Sequence, residues 1–511
     1  MKACAYLRLV MAGATALAVQ AAWSQSQDPN RILSVAAPWE ISNLDPSKTG
    51  YVFTRLEIAE TLVSVNNAGA LAAGLATHWE ASPDQLKWTF KLRPGAKFHD
   101  GTAVTAEAAV KSLEWALARP GVLRDANIKA ISAAAGSVVI ELNKPFGPLP
   151  AFLVHNSALI LAPASYGADG AVQTLIGSGP YKISKLLMPQ RMDTERFAQY
   201  DGKAPAIQKV SYLAASRGET RGMLAESGQA DLVFTHDAVA IERLKQKPNV
   251  QFHTQSMPRT IYLKTNAGNP KLADVRVRQA LSLAIDREGI AKAILREPNA
   301  VASQLFPPSM GDWHVKGLKP LEHNLAQARD LLKAAGWQAD GNGMLLKDGQ
   351  PFKVTVRTFS DRPELPRVAT ALQAQFKQVG IDLAVAIGNS SEIPSGHADG
   401  TLELALVSRS YALVPDPVAT LLQDFSPKGG DWGAMNWTSP QVLGALDSLV
   451  RVSDEKGRGQ LRGSIATVLQ AELPVIPIAW IQLTVTSSTR VGNVSIDPFE
   501  TNYRISQLAW K

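Results

Sequence analysis

The chain has almost no cysteine. Of its 511 residues only Cys4 carries a thiol, and it precedes the apolar stretch 9–19 rather than following it, as a lipid-anchor cysteine would. A processed chain would therefore hold no cysteine at all, which excludes disulfides, thiol catalysis and cysteine-built zinc sites. A thiol-free exported chain fits a periplasm better than a disulfide-stapled extracellular setting. Long apolar runs are also missing. The stretch 9–19 is short and rich in alanine; with Lys2 and Arg8 before it and Ala21, Ala22 and Ser24 after it, it reads as a cleavable secretory signal over residues 1–26, the alternative being a retained anchor. Nor does one sign of charge dominate: 52 Lys and Arg stand against 45 Asp and Glu, a net +7 that becomes +5 once Lys2 and Arg8 are removed. The basic residues are scattered, so no nucleic-acid partner is expected.

Catalytic signatures are lacking too. There is no phosphate-cradling G-x-x-x-x-G-K-[S/T] loop and no G-x-S-x-G nucleophile elbow. The 8 histidines, His78, His99, His155, His236, His253, His314, His323 and His397, never pair at the spacing of a metal-binding helix. Neither a catalytic constellation nor a resident metal or cofactor is predicted.

The length requires at least two domains, since single cores stop growing near about 250–300 residues. Along the chain, short strands alternate with helices: strands at 32–36, 63–65, 137–142, 207–213 and 230–234, and helices at 52–62 and through Arg221–Ala225. Further on, Asp274 caps a helix whose face carries Val277, Ala280, Leu281, Ala284 and Ile285. Asn324 and Gln327 mark another helix start, with Gly336 as its stop. A strand from Phe352, the helix 366–379 and a strand at 381–387 form a βαβ unit. The class is α/β, with composition changes near Asn266 and near Pro474–Pro477.

The most telling stretch is residues 76–101. Leu86, Trp88, Phe90 and Leu92 alternate with Lys87, Thr89, Lys91 and Arg93; Pro94-Gly95 and Asp100-Gly101 make turns; and Thr105 can cap a helix bearing Ala109, Val110, Leu113 and Ala116. This block closely resembles the signature of the large solute-binding proteins that serve peptide, opine and nickel ABC importers. Gly177-Ser-Gly-Pro-Tyr-Lys-Ile183, where glycines would make a tight turn, Tyr200-Asp-Gly-Lys-Ala-Pro205, with Asp201 where a tryptophan is usual, and the helix 275–286 match the same family in the same order. Ala300–Ser309 and Gly492–Phe499 are most similar to its nickel-binding branch.

The resemblance implies a two-lobed periplasmic-binding-protein fold of the large class, with mixed sheets flanked by helices and two hinge crossings. The N-terminal lobe would comprise 27–266 plus 476–511, with an inserted subdomain at about 67–175, and the C-terminal lobe 267–475. It implies a substrate-binding component of an ABC importer that captures a small solute, a short peptide, an opine or a carboxylate-bearing metal chelate. The chain would act in the periplasm, as a monomer and without catalysis, and hand its solute to an inner-membrane permease. An exported α/β hydrolase without a recognisable active-site motif is the alternative.

Family position also gives the ligand-binding candidates. Arg119 falls where the nickel branch places one carboxylate-gripping arginine; its other reading is a helix C-terminal cap. Tyr411 stands where that branch has a tryptophan, with Arg409 beside it as a clamp or a structural ion pair. Trp39 and Tyr51 face the cleft in relatives. His155 and Asn156 occupy the place of the branch's second arginine, and Trp437 is a wall candidate or an ordinary core residue.

Overall fold

The computed structural model describes residues 31–511 apart from 67–68, 120, 237, 360–361, 363, 389, 412–413, 428 and 453–454. The signal segment read at 1–26, with Cys4, lies outside the described residues. Among those described, no helix is long and apolar enough to cross a membrane.

One mixed sheet of 10 strands runs through the molecule. At one end, Ile32–Ala37 pairs in parallel with Lys209–Ala214 and with Leu232–Phe234. At the other, Lys353–Phe359 lies parallel to Asp382–Gly388 and Leu404–Ser410. The helix Glu364–Lys377 connects the first pair, which is the predicted βαβ unit. Two long antiparallel strands, Val250–Thr265 and Val475–Ser488, bridge the ends. The βαβ unit predicted from Phe352 is thus the far end of one continuous sheet. Polar residues such as Thr254, Gln255 and Ser256 interrupt the apolar pattern of the long strands while keeping ladder partners.

Three large buried clusters build most of the interior, and a small fourth gathers Ala36, Ala225, Ala230, Val233 and Leu244. One gathers Leu33, Val35, Phe53, Tyr181, Tyr212 and Val485. A second runs from Leu62 to Ala162 around a 4-stranded antiparallel sheet ordered Ala76–Ala81, Lys87–Leu92, Ser137–Leu142, Ile128–Ala134. Helix Ala106–Leu117 covers that sheet, and its Thr105 Oγ1 accepts from the Ala108 amide at 3.2 Å. The third cluster starts at Ile261 and ends at Ala479. On the crossing strands the clusters change between Met257 and Ile261 and between Ala479 and Leu483. These points lie a few residues inside the strands, before Asn266 on the first and after Pro477 on the second.

Two local expectations differ from the structure. The helix read at 52–62 is Pro46–Arg55, with Asp45 accepting from the Ser47 amide at 2.8 Å. It stops because Glu57 adopts a left-handed φ of 56°. Gly177 and Gly179 do not make a left-handed turn. A Cβ on either would lie 2.1 Å from a carbonyl oxygen, of Ile58 and Glu57 respectively, so close backbone approach is what demands glycine there.

The family helix Val275–Ala284 buries the predicted face, and what ties it down is an arginine just beyond its end. Arg287, only 3% exposed, donates from Nε to the Pro477 carbonyl at 2.8 Å and from its Nη atoms to Ser282 O and Oγ at 2.9 and 2.8 Å. Burial lowers its pKa to about 9, and no carboxylate sits beside it. Arg278 does the same for Glu472 O at 2.8 Å. Arg287→Met strands buried carbonyls, so denaturant unfolding should show a loss of about 2–4 kcal/mol; a loss below about 1 kcal/mol would show that this staple does not hold the returning strand.

Candidate functional site

A crevice of about 530 Å³ opens where the crossing strands meet the loop at 154–156 and the chain's tail. One wall carries Trp39, Tyr51, Arg55, His155, Asn156 and Glu500; the other carries Arg259, Arg409, Ser410 and Gln423. Residues from both ends of the sheet therefore face one space. A larger cavity of about 780 Å³, between strand Ala76–Ala81 and the segment Pro308–Trp313, shares Pro415 and Phe499 with it. In that larger space Arg458 pairs with Asp416 at 2.8 Å and Arg462 with Asp312 at 3.6 Å.

Helix Pro46–Arg55 presents Tyr51 and Arg55 on one face, four residues apart. Trp39 and Tyr51 meet edge to face at 5.9 Å, and the Arg55 guanidinium lies 4.8 Å from the Trp39 ring and 5.3 Å from the Tyr51 ring. Arg55 Nε donates to Glu500 O at 2.8 Å. The tail is held there by Glu57, whose carboxylate accepts from the Ser506 amide and hydroxyl at 2.7 and 2.6 Å. Gly50 lets the loop at 155–156 close on this helix: a Cβ would be 2.9 Å from Asn156 O. Asn156 Nδ2 then donates to Pro46 O at 2.8 Å.

The sequence candidates separate into two groups. Trp39, Tyr51, His155, Asn156 and Arg409 come together in the crevice. Arg409, however, is engaged in a bidentate pair with Asp424, both bonds at 2.8 Å, which leaves its charge neutralised. Tyr411 is 1% exposed and packs edge-on against Phe306 behind that pair. Arg119 lies elsewhere, stacked 3.7 Å over Trp115 and donating to Trp115 O at 3.4 Å, which is the helix-capping arrangement. Trp437 is a core residue, 6% exposed, whose Nε1 donates to Glu472 at 2.7 Å. Sequence reading missed Arg55, Arg259, Gln423 and Glu500. The i, i+4 spacing of Tyr51 and Arg55 was a usable signal for the first; Arg259 carried none, because its place depends on the crossing.

His155 Nδ1 accepts from the Ser157 amide at 3.2 Å and contacts its hydroxyl at 2.9 Å. Burial pulls its pKa to about 4, so the ring is neutral at physiological pH. It is, among the described residues, the one histidine lining the crevice. Among the described residues no group of three His, Cys, Asp or Glu could hold a metal ion.

A family model described as bacterial extracellular solute-binding proteins, family 5 Middle, matches residues 70–432. The chain belongs to this family. The family-5 chain is 27% identical over 507 residues to the nickel-binding periplasmic protein of Escherichia coli K12, covering 93% of this chain and 96% of that one. It is 26% identical over 320 residues to the glutathione-binding protein GsiB of the same strain, covering 61% and 60%. A crystal structure of a nickel ABC transporter from Bacillus halodurans superposes with a TM-score of 0.84 at 25% identity, covering 94% of this chain and 100% of that chain. The two-lobed binding-protein architecture expected from the sequence is therefore the one observed, and the relatives are binding and transport proteins, not enzymes.

His99 shares the buried state of His155: its Nε2 meets Gly179 O at 3.0 Å, and burial lowers its pKa to about 4. A histidine whose folded pKa lies below its unfolded value of about 6.5 takes up a proton on unfolding between those values, so stability falls as pH drops from about 6.5 to 4. Unfolding free energies measured across that window should fall more shallowly for the His99→Gln, His155→Gln variant than for the native chain, by up to about 1.4 kcal/mol per pH unit for each histidine. Parallel curves would mean that both rings are protonated in the fold.

Proposed function

We propose that this chain, the substrate-binding component of an ABC importer, captures a small carboxylate-bearing solute between its two lobes and delivers it to the permease. The observation that carries this reading is the crevice itself, with aromatic and arginine side chains supplied from both ends of the sheet. A solute that touches both walls makes its full set of contacts only when the lobes are together, so it stabilises the closed state; that is the whole mechanism of capture, and no bond in the solute need change. The lobes we assign divide on the crossing strands where the buried clusters change, between Met257 and Ile261 and between Ala479 and Leu483. We further assign it to the periplasm, as a monomer, after removal of the signal.

Two solute classes fit the wall. A metal chelate is favoured by the likeness to the Escherichia coli nickel-binding protein and by His155, a neutral imidazole that lines the crevice and could reach a chelated metal. A short peptide is favoured by the likeness to the glutathione-binding protein. Mass spectrometry and metal analysis of what natively purified protein releases on denaturation should find a carboxylate-bearing solute, with or without nickel. Nothing released, together with no thermal shift on adding dipeptides, nickel–histidine or tricarboxylates, would remove both classes.

A further inference from the structure

We propose that Arg259, with Arg55 as its second cation, anchors one carboxylate group of the solute; this rests on the capture reading above and specifies its charge. Arg259 lines the crevice from the outgoing crossing strand, inside the irregular stretch between Ser256 and Thr260 where the ladder with the returning strand slips register. Its side chain makes no hydrogen bond or ion pair with any described residue. Several arginines elsewhere in the fold are engaged: Arg409 by Asp424, Arg93 by Glu60 and Asp201, and Arg287 and Arg278 by backbone carbonyls. Arg55 supplies the second observation. It is 8% exposed, yet its Nη1 is buried without any hydrogen-bond partner. A buried guanidinium donor left without an acceptor is costly, and Arg55 Nη1 beside the unpaired Arg259 side chain marks a place where an oxyanion would be received.

The charges facing Arg259 define that anion. Arg362 and Arg55 repel it, and Glu500 and Glu364 attract it. Among these described groups three guanidinium groups stand against two carboxylates, an excess of positive charge that a carboxylate offsets. The ammonium end of a peptide would add to the repulsion. A peptide solute must therefore present an acid here, and a chelate must present a carboxylate oxygen pair. Burial, reinforced by Arg362, lowers the Arg259 pKa to about 10, so the group remains charged at neutral pH. The planar guanidinium fork suits a carboxylate's two oxygens, and an ammonium does not reproduce that geometry.

The test compares small molecules released by denaturing natively purified wild type, Arg259→Gln and Arg259→Lys, alongside the melting temperature of each protein after it has been stripped by unfolding, dialysis and refolding. Because Arg259 holds no partner, stripped Arg259→Gln should melt at or above the wild-type temperature. Wild type should release a carboxylic acid; Arg259→Gln should retain on the order of a hundredfold less of it, and Arg259→Lys an intermediate amount. Equal retention by wild type and Arg259→Gln, or a released solute without a carboxylate, overturns the anchor while leaving capture intact. A stripped Arg259→Gln that melts well below wild type also overturns it, since the side chain would then have a structural partner. If wild type releases nothing and responds to none of the solutes named above, the capture reading falls and the anchor falls with it.

Discussion

The molecule depends on one ladder of backbone hydrogen bonds, the antiparallel pairing of Val250–Thr265 with Val475–Ser488. This ladder belongs to both ends of the sheet at once. Outward from it, Leu404–Ser410 pairs on one side and Leu232–Phe234 on the other, so each end's sheet continues from the same two strands. Two paired strands resist splaying and sliding far better than a single tether, and they leave bending and twisting as the soft motions. The register slip between Ser256 and Thr260 places the least regular pairing at the changeover between the buried clusters.

The crevice shows how similar side chains take different tasks according to their partners. Arg409 is locked on Asp424, and removing either would leave a buried charge alone. Arg119 covers a tryptophan face and caps a helix. Arg55 is positioned by aromatic rings, by one tail carbonyl and by a 3.9 Å ion pair with Glu500, and its Nη1 still has a donor to offer. Arg259 has no partner among the described residues. The positive character of the site therefore comes from two residues whose neighbours leave them unsatisfied, and the more conspicuous arginine beside Tyr411 contributes little of it.

Much of this architecture was legible in the chain. Alternation at 86–92, the caps Thr105, Asp274 and Asn324, and the βαβ unit beginning near Phe352 all rest on local chemistry, and local chemistry survives in sequence. Motif order then gave the family. Features set by contacts between distant segments did not show. Glycines at 177 and 179 looked like turn residues because the carbonyls of Glu57 and Ile58 that crowd them are more than a hundred positions away. The helix Pro46–Arg55 was read too late because Pro46 and Gly50 weaken its helical pattern, although the first suits a helix start and the second admits Asn156. The candidate site was half legible: aromatic and polar wall residues could be placed by family position, whereas Arg259 gains its role only from two strands crossing beside it.

The C-terminal tail closes the first half of the molecule. Tyr503 stacks on Phe234 with ring centroids 3.8 Å apart, its amide donates to Arg55 O at 2.9 Å, and Arg490 pairs with Asp231 at 2.6 Å. The half that begins the chain therefore cannot finish until the chain's last residues arrive. During synthesis its sheet edge at Leu232–Phe234 and the helix end at Arg55 stay uncovered while the whole middle segment emerges. That topology defers completion of this half until the last residues of the chain have been made.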